Sequence, residues 1–144
     1  MSTYPGDIEP LPRGTTVRLI EVYCDYDTWG QVSSAEIERA KEKEAEWLAV
    51  LKEGFEEAAK KRGILDDGPD ALTVTIALVD TYPGSSLSNE WIGYGSGQAK
   101  ANAAVTLRGH GTFEIGTVIP NDNIKDKLRE LGAMAADHIH ERIR

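Results

Sequence analysis

One long run, Ser33 to Gly63, constrains this chain more than any other feature. Ser33 with Glu36 three residues later has the form of a capping box, in which each side chain satisfies a backbone donor of the first helical turn. Ile37, Ala40, Trp47, Leu48, Leu51, Phe55 and Ala58 then recur at helical spacing, and only Glu44 interrupts the stripe. Lys60, Lys61 and Arg62 suit the negative end of the helix dipole, and Gly63 supplies a left-handed stop. The pattern predicts one helix over Ser34–Arg62. Gly54 in its middle costs about 1 kcal/mol relative to alanine, which points to a crowded contact there.

Apolar runs flank this helix. Thr16–Cys24 has Val17, Leu19 and Tyr23 on one face and Ile20, Val22 and Cys24 on the other, a pattern expected of a central strand. Leu72–Asp80 alternates, with Leu72, Val74, Ile76 and Leu78 inward and Thr73, Thr75 and Ala77 outward. A helix joining two strands implies that they are parallel, through a right-handed crossover. Beyond a loop at Asp66–Pro69 and a turn at Tyr82–Ser85, a third strand is expected to begin within Leu87–Tyr94 and to end near Arg108. Gly109-His110-Gly111 then serves as a hairpin loop before a strand over Thr112–Ile119. After Pro120-Asn121-Asp122, a final helix buries Ile124, Leu128, Leu131, Ala135, Ile139 and Ile143. The fold class expected is α+β: a two-layer sandwich of a mixed four-stranded sheet with two helices on one face, in the order β-α-β-β-β-α. Residues 1–14, with Pro5, Pro10 and Pro12, read as an extended lead-in to a single domain over 15–144.

Composition narrows the functional classes. A chain of 144 residues with 40% hydrophobic and 28% charged residues is that of one folded domain. Its net charge of −8 disfavours nucleic acid and anionic membrane surfaces, both of which call for clustered Lys and Arg. No stretch approaches the roughly 20 apolar residues of a membrane helix. The start has no signal-peptide pattern, so the chain is expected to be soluble and cytoplasmic as expressed. Cys24 is the single cysteine, which rules out an intrachain disulfide.

The motifs with chemical content each have a plainer reading. Gly93-Tyr94-Gly95-Ser96-Gly97-Gln98-Ala99-Lys100 has glycines and a lysine suited to phosphate, but a phosphate loop opens a helix and this segment leads into a strand. Gly93, Gly95, Gly97, Ala99, Ala101 and Ala103 share one parity, so they form a small-residue stripe that lets bulky neighbours such as Trp47 and Phe55 approach the sheet. Asp25-Tyr26-Asp27-Thr28 after an apolar strand resembles the aspartate-nucleophile signature of the haloacid-dehalogenase type of phosphatase. That resemblance would make Asp25 the nucleophile and Asp27 the acid/base beside Mg²⁺. Cys24 and His110 are nucleophile and base types that nothing in the sequence brings together. His138 and His140 are two apart on a helix and point in opposed directions, so they read as solvated side chains rather than a chelating pair. Tyr26 and Trp29 read as an aromatic cap on the sheet end. No catalytic, cofactor-binding or metal-binding residue and no cofactor is therefore assigned.

A wider resemblance runs from Leu72 to Thr106, about half the chain. Gly84-Ser85, then Gly93, Gly95, Gly97 and Ala99 between strands, followed by a closing helix, resemble a bacterial envelope lipoprotein domain. Its layout is similar to that of the curli-secretion and penicillin-binding-protein-activator lipoproteins. The resemblance implies a non-catalytic accessory domain acting through protein contacts or self-assembly, with a periplasmic or envelope-associated setting. This chain departs from the pattern in having no lipidated cysteine at its start. A second reading follows from the tidy caps and dense Glu, Lys and Ala of the helices, which match a designed or redesigned scaffold. Ile20, Val22 and Ala104, if they face outward together, would give an apolar surface suited to a partner.

Overall fold

A computed structural model describes residues 7–30, 32–82, 99–119 and 124–144. Among them the elements are β1 (Val17–Cys24), α1 (Ser34–Lys61), β2 (Leu72–Tyr82), β3 (Ala99–Leu107), β4 (Gly111–Ile119) and α2 (Ile124–Arg142). The sheet has the order β1-β2-β3-β4, with β1 parallel to β2 and the remaining pairs antiparallel. This is the α+β arrangement that the helical and strand periodicities predict.

The start of α1 forms as its sequence requires. Ser33 Oγ accepts from the Glu36 amide at 3.2 Å, and the Ser33 amide donates to the Glu36 carboxylate at 3.1 Å. Gly63 leaves the helix with φ of 74°. The buried face of α1 carries Ala40, Trp47, Leu51, Gly54, Phe55 and Ala59, and that of α2 carries Ile124, Leu128, Leu131, Gly132, Ala135, Ala136 and Ile139. These side chains share one core with Val74, Ile76 and Leu78 of β2 and with Ala101, Ala103, Val105 and Leu107 of β3. Both helices therefore cover the same face of the sheet.

The helices lie side by side and parallel, as their ion pairs show. Lys125 meets Glu46, Arg129 meets Glu53 and Glu57, and Arg62 meets Asp137 at 3.2 Å, so the pairs advance together along both helices. Two glycines set the crossing. A methyl on Gly54 would lie 2.8 Å from the carbonyl carbon of Arg129, and one on Gly132 would lie 2.7 Å from the Phe55 amide nitrogen. The crowded contact expected at Gly54 is thus a backbone-to-backbone approach of α1 and α2. Of the expected small-residue stripe, Ala101 and Ala103 of β3 are fully buried on the inner face. Gly84, Ser85, Gly93, Gly95 and Gly97, together with the predicted turn and the predicted start of the third strand, lie outside the described residues.

Two expectations about β1 are corrected. It is an edge strand rather than a central one, and its inward face changes parity part-way along. Its pairing with β2 slips between Leu19 and Glu21, so Ile20 is the extra residue of a bulge. Val17 and Leu19 point into the core before the bulge, and Val22 and Cys24 pack against the core after it. Tyr23 consequently projects to the outer face instead of joining Val17 and Leu19. A strand with one apolar face, read through a slip, looks apolar on both. At its start β1 is covered along its free edge, where the Val17 amide donates to the Ile64 carbonyl at 2.7 Å and the Asp66 amide donates back to Val17 at 3.1 Å.

The N-terminal lead-in joins the core from residue 8 onward. Ile8 and Leu11 are buried. The Leu11 amide donates to the Arg142 carbonyl at 2.7 Å, and Arg144 donates back to Leu11 at 3.0 Å, closing a parallel bridge to the end of α2. Asp7 accepts from Arg142 and lies 2.8 Å from His138 Nε2, whose ring stacks on Phe113 at 4.1 Å between centroids. His138, expected to be simply solvated, is a clamp on this segment.

Candidate interaction surface

The residues with the most chemical promise in sequence fall at the C-terminal end of β1. A short 3-10 turn, Tyr26–Thr28, follows Asp25 there. Its bonds are largely internal: Thr28 Oγ1 donates to the Asp25 carbonyl at 2.7 Å and accepts from the Asp80 amide at 2.8 Å. Trp29 is buried, donates from Nε1 to the Leu78 carbonyl at 3.1 Å, and meets Tyr26 edge to face at 4.7 Å. The aromatic cap is therefore present. Glu44, the position out of pattern on α1, accepts from the Tyr26 hydroxyl at 2.7 Å, which is why a carboxylate is tolerated in that stripe.

Cys24 sits beside this cap. Burial pushes its thiol up to about 12, with Glu44 adding to the rise and a hydrogen bond from Tyr26 only partly opposing it. Burial and the bond to Glu44 raise the Tyr26 hydroxyl as well. A thiol in that state is not a nucleophile at neutral pH. His110 lies in the β3–β4 turn beyond Leu107, which is four residues along β3 from Ala103, whose row across the sheet contains Cys24. Leu107 alone is about 13 Å along the strand from that row, so Cys24 and His110 do not meet. Asp25 is half-buried and Asp27 exposed. Asp66 bonds to the opposite end of β1, and among the described residues no three His, Cys, Asp or Glu side chains are placed to hold a metal ion.

The outer face of the sheet has a different character. No described element packs on it, and Tyr23 at 41% and Val118 at 48% project from it; Ile20 at 54% stands at the bulge on the free edge, and Ala77 at 6% and Val79 at 8% are buried among their neighbours. Between Tyr23 on β1 and Val118 on β4 runs a floor of small side chains. One row crosses from Tyr23 through Ala77 and Ala104 to Glu114, and the row beside it holds Val79, Asn102 and Gly116. Ala104 faces outward as the partner-surface expectation requires, Ile20 stands at the bulge on the free edge, and Val22 faces the core with Tyr23 in its place.

A polar corner bounds this face. β2 continues past Asp80 to Tyr82, its pairing with β3 slips between Val79 and Tyr82, and Asp80 takes a φ of 40°. Asn102 Nδ2 donates to the Asp80 carbonyl at 2.9 Å, and Lys100 pairs with the Asp80 carboxylate at 3.2 Å. Gly116 on β4 leaves room for the Asn102 side chain, whose Cγ would be 3.3 Å from a methyl there. The result is a hollow of about 340 Å³ lined by Asp80, Lys100, Asn102, Glu114 and Gly116. The sequence signals for this corner were an asparagine and a glycine inside otherwise regular strands, each a mark of a bulge or close approach.

Comparison of the chain with protein-family models, with characterised proteins and with solved structures yields no match. No helix among the described residues is long and apolar enough to cross a membrane.

Proposed function

We propose that the chain is a non-catalytic accessory domain that works by docking a protein on the outer face of its sheet. One observation carries this reading: Tyr23 and Val118, two of the three exposed large hydrophobic side chains among the described residues, lie on that face, while the helices cover the other. Scattered apolar side chains are ordinary on a protein surface, but a shared face with a small-residue floor is the arrangement of a contact site. The state of the polar groups at the end of β1 agrees with it, since the Cys24 thiol is held protonated and the hydroxyls of Tyr26 and Thr28 are engaged in internal bonds. The likeness of the Leu72–Thr106 run to envelope lipoprotein domains supports an accessory role in the same direction.

Oxidative footprinting tests the proposal. Tyr23 should be modified readily in the dilute purified chain and several-fold more slowly inside cells that express it, with exposed α1 positions unchanged between the two. Equal modification of Tyr23 in both settings would overturn the reading.

A further inference from the structure

We infer that the occupant of the outer face is a second copy of this chain, docked face to face about a two-fold axis that runs parallel to the strands. The inference rests on the proposed interaction role and names its partner. Charge is the first ground. The chain carries −8, so two copies repel over most approaches. The described outer face carries little of that charge: Arg18, Lys100 and Arg108 stand against Glu21, Asp25, Asp80 and Glu114, a net of −1. It is a surface on which an acidic chain meets itself with little charge penalty.

Shape is the second ground. A two-fold axis along the middle of the sheet sets β1 of one copy over β4 of the other, in the aligned mode of sheet-on-sheet packing. Residues in one row across the sheet then oppose each other. Tyr23 shares its row with Glu114, so its ring descends beside Gly116 and its hydroxyl reaches the partner copy's carboxylate row. The Tyr23 side chain enters the trough floored by Ala104 and Gly116, and its symmetry mate does the same.

Size is the third. Four strands about 4.8 Å apart and eight residues long at about 3.3 Å each span roughly 500 Å². Two such faces bury on the order of 1,000 Å², the lower bound of a specific interface and the size class of weak, transient contacts. Raising the salt screens the repulsion between two acidic copies and should tighten the dimer.

Sedimentation equilibrium of the purified chain between about 1 and 300 μM tests this, the range bracketing a weak dimer. The chain should pass from monomer to dimer across it. Tyr23→Glu sets a glutamate against Glu114 and should weaken the dimer at least tenfold without lowering the melting temperature, because Tyr23 is exposed. Adding Glu114→Lys to Tyr23→Glu should restore association, a rescue that only opposed rows produce. Glu38→Lys, on the solvent side of α1, should leave it unchanged. A monomer at every concentration, a dimer indifferent to Tyr23→Glu, or one broken by Glu38→Lys overturns the inference. A purified monomer whose Tyr23 is nonetheless protected in cells rejects the second copy while leaving the docking role standing.

Discussion

Replacing Gly54 by alanine separates two effects that pull in opposite directions. In an uncrowded helix the change stabilises by about 1 kcal/mol, because alanine loses less backbone freedom. In this fold the new methyl would lie 2.8 Å from the Arg129 carbonyl carbon and 2.9 Å from its Cα. Carbon contacts are comfortable from about 3.5 Å, so α1 and α2 must part by something near 1 Å at the crossing. The obstacle is backbone, which cannot rotate aside, and Gly132 makes an equally close approach to Leu51 and Phe55. Overpacking of this kind costs about 1–3 kcal/mol, and the gap opened along the seam weakens contacts around Leu51, Leu128 and Leu131 as well. With the propensity gain subtracted, Gly54→Ala should destabilise the fold by about 1 kcal/mol, a fall of roughly 2–4 °C in Tm for a chain of this size. Urea denaturation should show a lower midpoint with an unchanged slope, the sign of a native-state effect. Gly132→Ala should behave alike, with the double variant less than additive because both act on one crossing. An alanine at position 54 that leaves stability equal or higher would refute the close-crossing account.

Two further outcomes follow from the titrating groups. Burial alone would raise the Asp7 carboxyl, but the His138 hydrogen bond, the Ile8 amide and the charges of His138 and Arg142 outweigh it and hold the group below its ordinary value of 3.8. The stability it contributes is therefore complete above that value and lost as the pH falls through the lower folded one. Amide exchange at Leu11 should accelerate in that acid window, and Asp7→Asn should show fast exchange at neutral pH with no such acid step; the same acid profile in both proteins would contradict the clamp. Cys24, raised to about 12, should react with a soluble maleimide at pH 8 at least a hundredfold more slowly than a free cysteine until the chain is unfolded. Rapid labelling of the folded chain would show that the thiol is not enclosed.

How much of this was legible before the structure depends on the kind of signal. The bounds of α1 were readable because its caps and stripe are local: Ser33, Glu36 and Gly63 each act within a turn of the helix end. The apolar alternation of β2 was readable for the same reason. The inward face of β1 was not, because a bulge leaves no mark in composition, and the extra residue is an isoleucine that looks like core. Glu44 was visible only as an anomaly, since its partner Tyr26 is 18 residues away and on another element. His138 was misread for a similar reason: Phe113 and Asp7 meet it only once the sheet and the lead-in are in place. Asp25 and Asp27 looked like chemistry in sequence, and Asp25 now introduces the turn that starts the aromatic cap. The proposed interaction surface is legible in Ala104, whereas Tyr23, its most exposed aromatic residue, takes the outer face only because of a slip that the sequence does not mark.

Val22 and Tyr23 are adjacent in sequence and opposite in role, which makes them the most direct test of a sheet with one face for the core and one for a partner. Val22→Asp should cost about 2–4 kcal/mol by bringing a carboxylate against the core without a partner. Tyr23→Glu should leave the urea midpoint within error of the parent and abolish docking on the outer face. If Tyr23→Glu unfolds the chain and Val22→Asp is tolerated, β1 has no bulge, its faces are reversed, and the interaction surface described for this protein does not exist.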